Sequence, residues 1–146
     1  MPSSKRQKPK VVIDSNVWIS AIIWGGHPAK IVKAAENGKL NILLSPEIIS
    51  ELNRILNYER LKTIYEKAEL SREEIITKIV QTGKIIDKPI KLPVVHEDPT
   101  DNKFIECAVT GKADYIISGD THLLRIKQYK KIKILPPKDF LKLIEG

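Results

Sequence analysis

A single cysteine, Cys107, occurs in the 146 residues of this chain. One thiol closes no internal disulfide, and paired CxxC zinc spacing is impossible. No apolar run approaches the ~20 residues that a membrane span needs. The N-terminus, Ser3-Ser4-Lys5-Arg6-Gln7-Lys8-Pro9-Lys10, is polar and basic, with no apolar stretch of a secretory signal behind it. These absences predict a soluble, cytoplasmic chain. Several reaction classes lack their signatures as well. There is no GxxxxGKS/T or GxGxxG phosphate loop and no GxSxG nucleophile elbow. The histidines, His27, His96 and His122, are scattered without HExxH-type spacing and read as surface residues. Cys107 reads as a small core residue.

What is present is positive charge. The formal net charge is +7, from 25 Lys and Arg against 18 Asp and Glu. Such a balance favours an anionic partner such as nucleic acid, although lysine also serves simply to solubilise a surface. An acidic cluster inside a basic protein strengthens the first reading. Substrate phosphates are then attracted overall, with metal ions bridging them to carboxylates.

Residues 1–10 are expected to form a flexible basic tail, and 11–146 one domain. From Val11 onward strand and helix patterns alternate. Val11–Ile13, Ile42–Leu44, Lys84–Ile86, Tyr115–Ser118 and Lys131–Leu135 read as strands. Ser45-Pro46-Glu47 and Ser71-Arg72-Glu73-Glu74 read as capped helix starts. Trp18 and Trp24 flank the first helix, where core or dimer packing is expected. Pro89 and Pro93 mark an extended crossing. The alternation predicts an α/β three-layer sandwich: a central parallel sheet of about five strands flanked by helices.

Two of these strands end on aspartates, Asp14 and Asp120. The carboxyl ends of parallel strands are where open α/β folds place ligands. Each residue has a plainer reading as a helix N-cap. Asp98 caps another helix start, which places Asp101 at the third position, where acids are favourable anyway. If the first and fourth strands pair, Asp14, Asp101 and Asp120 converge. Carboxylates in that arrangement suit a hard divalent cation such as Mg2+ or Mn2+, which takes oxygen ligands and keeps several waters. A phosphatase of the aspartate-nucleophile kind needs DxDxT after the first strand, whereas Asp14 is followed by Ser15-Asn16. Glu51, taken alone, reads as a solvated helix residue paired with Arg54 at i+3.

Val12-Ile13-Asp14-Ser15-Asn16-Val17, Ser45-Pro46-Glu47 with Glu51-Leu52, Asp98-Pro99-Thr100-Asp101-Asn102 and Ser118-Gly119-Asp120 occur in order. In this order and rough spacing the chain resembles PIN domains, and within them the VapC-like toxins of prokaryotic toxin–antitoxin pairs. The resemblance implies a metal-dependent endoribonuclease acting on single-stranded RNA with Mg2+ or Mn2+. It places Asp14, Glu51, Asp101 and Asp120 in the acidic site, with Asn16, Asp98 and Ser118 in support, and it alone recruits Glu51. A cognate antitoxin and a homodimer or higher oligomer are the implied protein partners. His122 stands where relatives often carry another acid. The alternative reading is a non-catalytic PIN-like module that binds RNA or an antitoxin.

Overall fold

Among the residues that the computed structural model describes, 8–93 and 99–145, six strands share one sheet. They are β1 (Lys10–Ile13), β2 (Asn41–Leu44), β3 (Lys84–Ile85), β4 (Tyr115–Ile117), β5 (Gln128–Tyr129) and β6 (Ile132–Leu135), in the order β3-β2-β1-β4-β6-β5. Every pairing is parallel except that of β5 with β6. The sheet thus has one strand more than the sequence pattern predicts. The extra one, β5, is a two-residue antiparallel edge in a lysine-rich stretch, too short and polar for an apolar pattern to reveal.

The helices are α1 (Ser15–Ile19), α2 (Gly26–Glu36), α3 (Pro46–Leu56), α4 (Glu59–Lys67), α5 (Arg72–Thr82), α6 (Asn102–Gly111), α7 (Thr121–Ile126) and α8 (Pro137–Glu145). A π-helical turn, Ser20–Trp24, extends α1 and stops at Gly25, whose φ of 87° suits glycine. A 3-10 turn, Pro99–Asp101, precedes α6. The sequence caps form as read. Ser45 Oγ accepts from Ile48 N–H at 3.3 Å, and Ser71 with Glu74 closes a reciprocal capping box. Trp18 is fully buried, as the packing expectation requires, but Trp24 is 63% exposed and lies outside the core.

Val11, Val12 and Ile13 are fully buried because β1 lies inside the sheet between β2 and β4. From β1 the chain steps first to β2 and later back across to β4. Right-handed connections in opposite directions place α2 and α6 on opposite faces. α6 packs across β1, β2 and β4, while α2 packs on β2 and α8. Tyr115 and Phe140 join β4 to α8 edge-on, their ring centroids 5.2 Å apart. The reversal of direction opens a crevice at the carboxyl ends of β1 and β4, the place where open α/β sheets bind ligands. No described helix is long and apolar enough to cross a membrane.

Candidate active site

The β1–β4 and β4–β6 ladders run on past the strands. Asp14 N–H donates to the Ile117 carbonyl at 3.0 Å, and Ser118 N–H to that of Leu135 at 3.0 Å. Asp14 and Ser118 are therefore delivered side by side to one edge. Asp14 is only 3% exposed. Its Oδ1 accepts from Val17 N–H at 2.9 Å and caps α1, while its Oδ2 accepts from Ser118 Oγ. The capping reading is correct, yet it uses one oxygen and leaves the other facing Ser118. Burial pushes the Asp14 carboxyl above the usual carboxylate range. The charges of Asp120 and Glu51 push the same way, against hydrogen bonds from Ser118 and Val17.

Ser118, fully buried, also accepts from Asp120 N–H at 2.9 Å and so ties the two strand ends together. Ser118→Ala leaves a buried carboxylate oxygen without its donor, at a cost of about 1–3 kcal/mol. The expected result is a lower melting temperature. In Asp14→Asn/Ser118→Ala the loss should fall well short of additive, because the stranded charge is gone. Additive effects of the two substitutions in a thermal double-mutant cycle overturn the link.

Asp120 caps α7, its Oδ1 accepting from His122 N–H at 3.0 Å, with His122 Nδ1 3.4 Å away. Desolvation, the largest single influence on this carboxyl, raises its pKa. Hydrogen bonds from Asp101 and the His122 N–H, with the charge of His122, outweigh it and hold Asp120 below the ordinary value. Their surroundings displace these two neighbouring carboxyls, Asp14 and Asp120, in opposite directions. His122 is thus a neighbour of the site rather than a bare surface residue. The sequence signal was its place two residues after Asp120, the usual reach of an Asx cap.

Asp101 is buried and ends the 3-10 turn. α6 starts at Asn102, so Asp101 is its N-cap residue and not its third position, and its side chain makes no capping bond. Asp101 is one of the groups that lower the Asp120 carboxyl, and the two line the same cleft. Asn102, from the same sequence motif, turns away from the acids. Its Nδ2 donates to the Leu92 carbonyl at 3.1 Å and to Glu106 at 3.2 Å, and Glu106 accepts from Leu92 N–H at 2.9 Å. This clamp holds the extended crossing against α6. Asp98 and His96 lie outside the described residues.

Glu51 projects from α3 into the same region and is not a solvated surface residue: its side chain is 15% exposed. Ser15 Oγ donates to its Oε1 at 2.5 Å. Lys103 Nζ donates to its Oε2 at 3.1 Å, and Arg54 lies 3.5 Å from the same oxygen. Lys103 also donates to the Thr100 carbonyl and sits 5.1 Å above the Phe104 ring. Sequence reasoning found the Arg54 partner but missed Lys103, which is 52 positions from Glu51.

Asp14, Asn16, Glu51, Asp101 and Asp120 bound one cleft of about 210 Å³. Asn16 is exposed at its rim. An open groove of about 520 Å³ continues from Asp14 and Asp120 past Ser20 and Pro28 to Pro137. Among the described residues no three His, Cys, Asp or Glu side chains are grouped so that they could hold a metal ion together. The donor set nevertheless fits a hydrated hard cation, since Mg2+ is commonly bound by one or two carboxylates with water completing its shell. Cys107 is a buried core residue whose thiol burial pushes up to about 12, which makes it inert.

Fold and site together define a mostly parallel α/β sheet with an acidic cleft at its switch point. A PIN domain family model matches residues 10–122, and the chain belongs to the PIN domain family. PIN domains are generally nucleases that use divalent metals. The chain is 32% identical over 155 aligned positions to the uncharacterized protein MJ1680 of Methanocaldococcus jannaschii, covering 99% of this chain and 97% of that protein. The crystal structure of VapBC2 from Rickettsia felis, bound to a DNA fragment from its promoter, superposes with a TM-score of 0.59. It covers 86% of this chain and 96% of that one, and at 13% identity it shares the fold alone.

Proposed function

We propose that this protein is a divalent-metal-dependent endoribonuclease that hydrolyses phosphodiester bonds in single-stranded RNA. The observation that carries the reading is the meeting of Asp14, Glu51, Asp101 and Asp120 around one cleft in a cationic chain. Asp14, Asp101 and Asp120 would hold Mg2+ or Mn2+, with Glu51 beside them and Asp98 as an outer member. The bound ion supplies charge neutralisation on the scissile phosphate and activation of water. Ser118 aligns Asp14 with the Asp120 backbone, and Ser15 and Lys103 fix the Glu51 carboxylate. Asn16 at the rim would serve as a supporting polar residue. Location in the cytoplasm, homo-oligomers and a role as the toxin of a toxin–antitoxin pair belong to the same proposal. The antitoxin is suggested by the VapBC2 complex of similar fold.

Labelled single-stranded RNA, incubated with the protein and Mg2+ or Mn2+ and resolved on a denaturing gel, tests the reading. Cleavage should stop with EDTA and in Asp14→Asn. The Lys103–Glu51 ion pair, a fixed cation already inside the acidic cluster, favours a second reading as a non-catalytic module binding RNA or an antitoxin. Tight RNA binding without cleavage in either metal decides for it.

A further inference from the structure

The positive charge of this chain is concentrated in one place. Residues 121–138 hold six cations (Arg125, Lys127, Lys130, Lys131, Lys133 and Lys138) and no acid, leaving nineteen cations against eighteen acids elsewhere. Nearly all of the +7 therefore resides in this stretch, and all six side chains belong to exposed residues. We propose that the end of α7 and the β5–β6 hairpin form an anchoring surface for single-stranded RNA outside the acidic cleft.

Lysines often blunt sheet edges against pairing with other chains. That explanation fits poorly, because the edge strand β5 is Gln128–Tyr129 and carries no charge of its own. The cations lie around it, in the flanking turns and on the exposed positions of β6. Lys127 and Lys130 take φ values of 66° and 54°, a conformation that glycine or asparagine adopts more cheaply. Glu69 and Lys112 share that backbone geometry, so strain alone marks nothing. Its coincidence with the acid-free stretch is what sets the hairpin apart.

The surface is continuous with the cleft. α7 starts at Asp120, and Ile134 N–H donates to the Lys127 carbonyl at 3.0 Å, anchoring the hairpin at the site edge. After β6 the chain reaches Pro137, which lines the groove with Asp14 and Asp120. At ~3.3 Å per residue, β6 carries the basic surface about 13 Å from Leu135 to Lys131. RNA leaving the groove meets this ridge, which holds phosphates without reading bases.

The choice of RNA as occupant rests on the proposed nuclease function, so the test reads binding apart from cleavage. Binding of a fluorescent single-stranded 20-mer RNA is titrated in EDTA across a salt series, using Asp14→Asn protein. Adding Lys130→Gln/Lys131→Gln/Lys133→Gln should reduce the slope of log affinity against log salt by about two, given ~0.7 per lost phosphate contact. A control with the same charge loss elsewhere, Lys67→Gln/Lys112→Gln/Lys142→Gln, should change the slope by less than half as much. Equal losses in both sets overturn the proposal by reducing it to net charge. An unaltered slope in the hairpin set overturns it as well and points to an acidic protein as occupant. If the wild type cuts no RNA but the hairpin set still loses binding, the surface stands and the nuclease reading falls.

Discussion

Asp14→Asn should stabilise the metal-free protein at neutral pH while removing the proposed nuclease activity. Asparagine keeps the oxygen that accepts from Val17 N–H, so the α1 cap survives. It removes a buried charge whose carboxyl is raised above its ordinary value of 3.8 by desolvation and by Asp120 and Glu51. A group with a raised folded pKa contributes its full stability below the unfolded value, and loses that contribution as pH rises through the folded one. The wild type is therefore penalised at pH 7 and unpenalised in acid. The melting-temperature gap between variant and wild type should open as pH rises above about 3.8, by ~3 °C for each kcal/mol of relief. Scanning calorimetry across pH measures it, and a variant that melts lower than wild type at pH 7 defeats the account. Asp14→Ala is less clean, because losing the cap costs about 0.5–2 kcal/mol. Activity should fall by more than the ~10–100-fold usual for residues that only orient a ligand.

Lys103→Met should give the second large effect. Lys103 Nζ lies 3.1 Å from Glu51, and both side chains are largely covered, 19% and 15% exposed. Methionine retains the apolar stem but leaves Glu51 with the Ser15 hydroxyl and, as its remaining cation, Arg54 at 3.5 Å. Loss of a charged donor to a mostly covered acceptor costs about 1–3 kcal/mol, or roughly 3–10 °C for a domain of this size. Added Mg2+ should restore more stability to this variant than to wild type, because the ion takes over the missing positive charge. At 100-fold excess over Kd the gain reaches ~2.7 kcal/mol. Equal Mg2+-induced shifts in the two proteins show that Lys103 is not the resident counter-charge.

Much of the framework was readable because its signals are local. Short apolar runs marked β1, β2 and β4, and Ser45-Pro46-Glu47 marked the start of α3. Asp14 and Asp120 were legible twice, as caps and as strand-end acids, and they are both at once. Glu51 was not legible from spacing. Along α3 it sits beside the apolar stripe with Arg54 one turn on, and only Ser15 and Lys103, brought in by tertiary folding, reveal that it faces the cleft. Lys103 was missed for the same reason. The π-helical turn at Ser20–Trp24 carries helix-like residues, so composition does not separate it from α1.

The bond from Ser118 to Asp14 joins residues 104 positions apart. Closing a loop of that length costs about 4 kcal/mol of chain entropy beyond a constant, and contacts of such long range form late. Helices capped locally, such as α3 and α5, need no such closure. The acids thus become a working constellation only when β1 and β4 have paired, after most of the helical material is in place. Chains in which β1 and β4 have not yet paired hold these residues but not the cleft they line. The cleft therefore owes its existence to one long-range pairing rather than to any local segment of the chain.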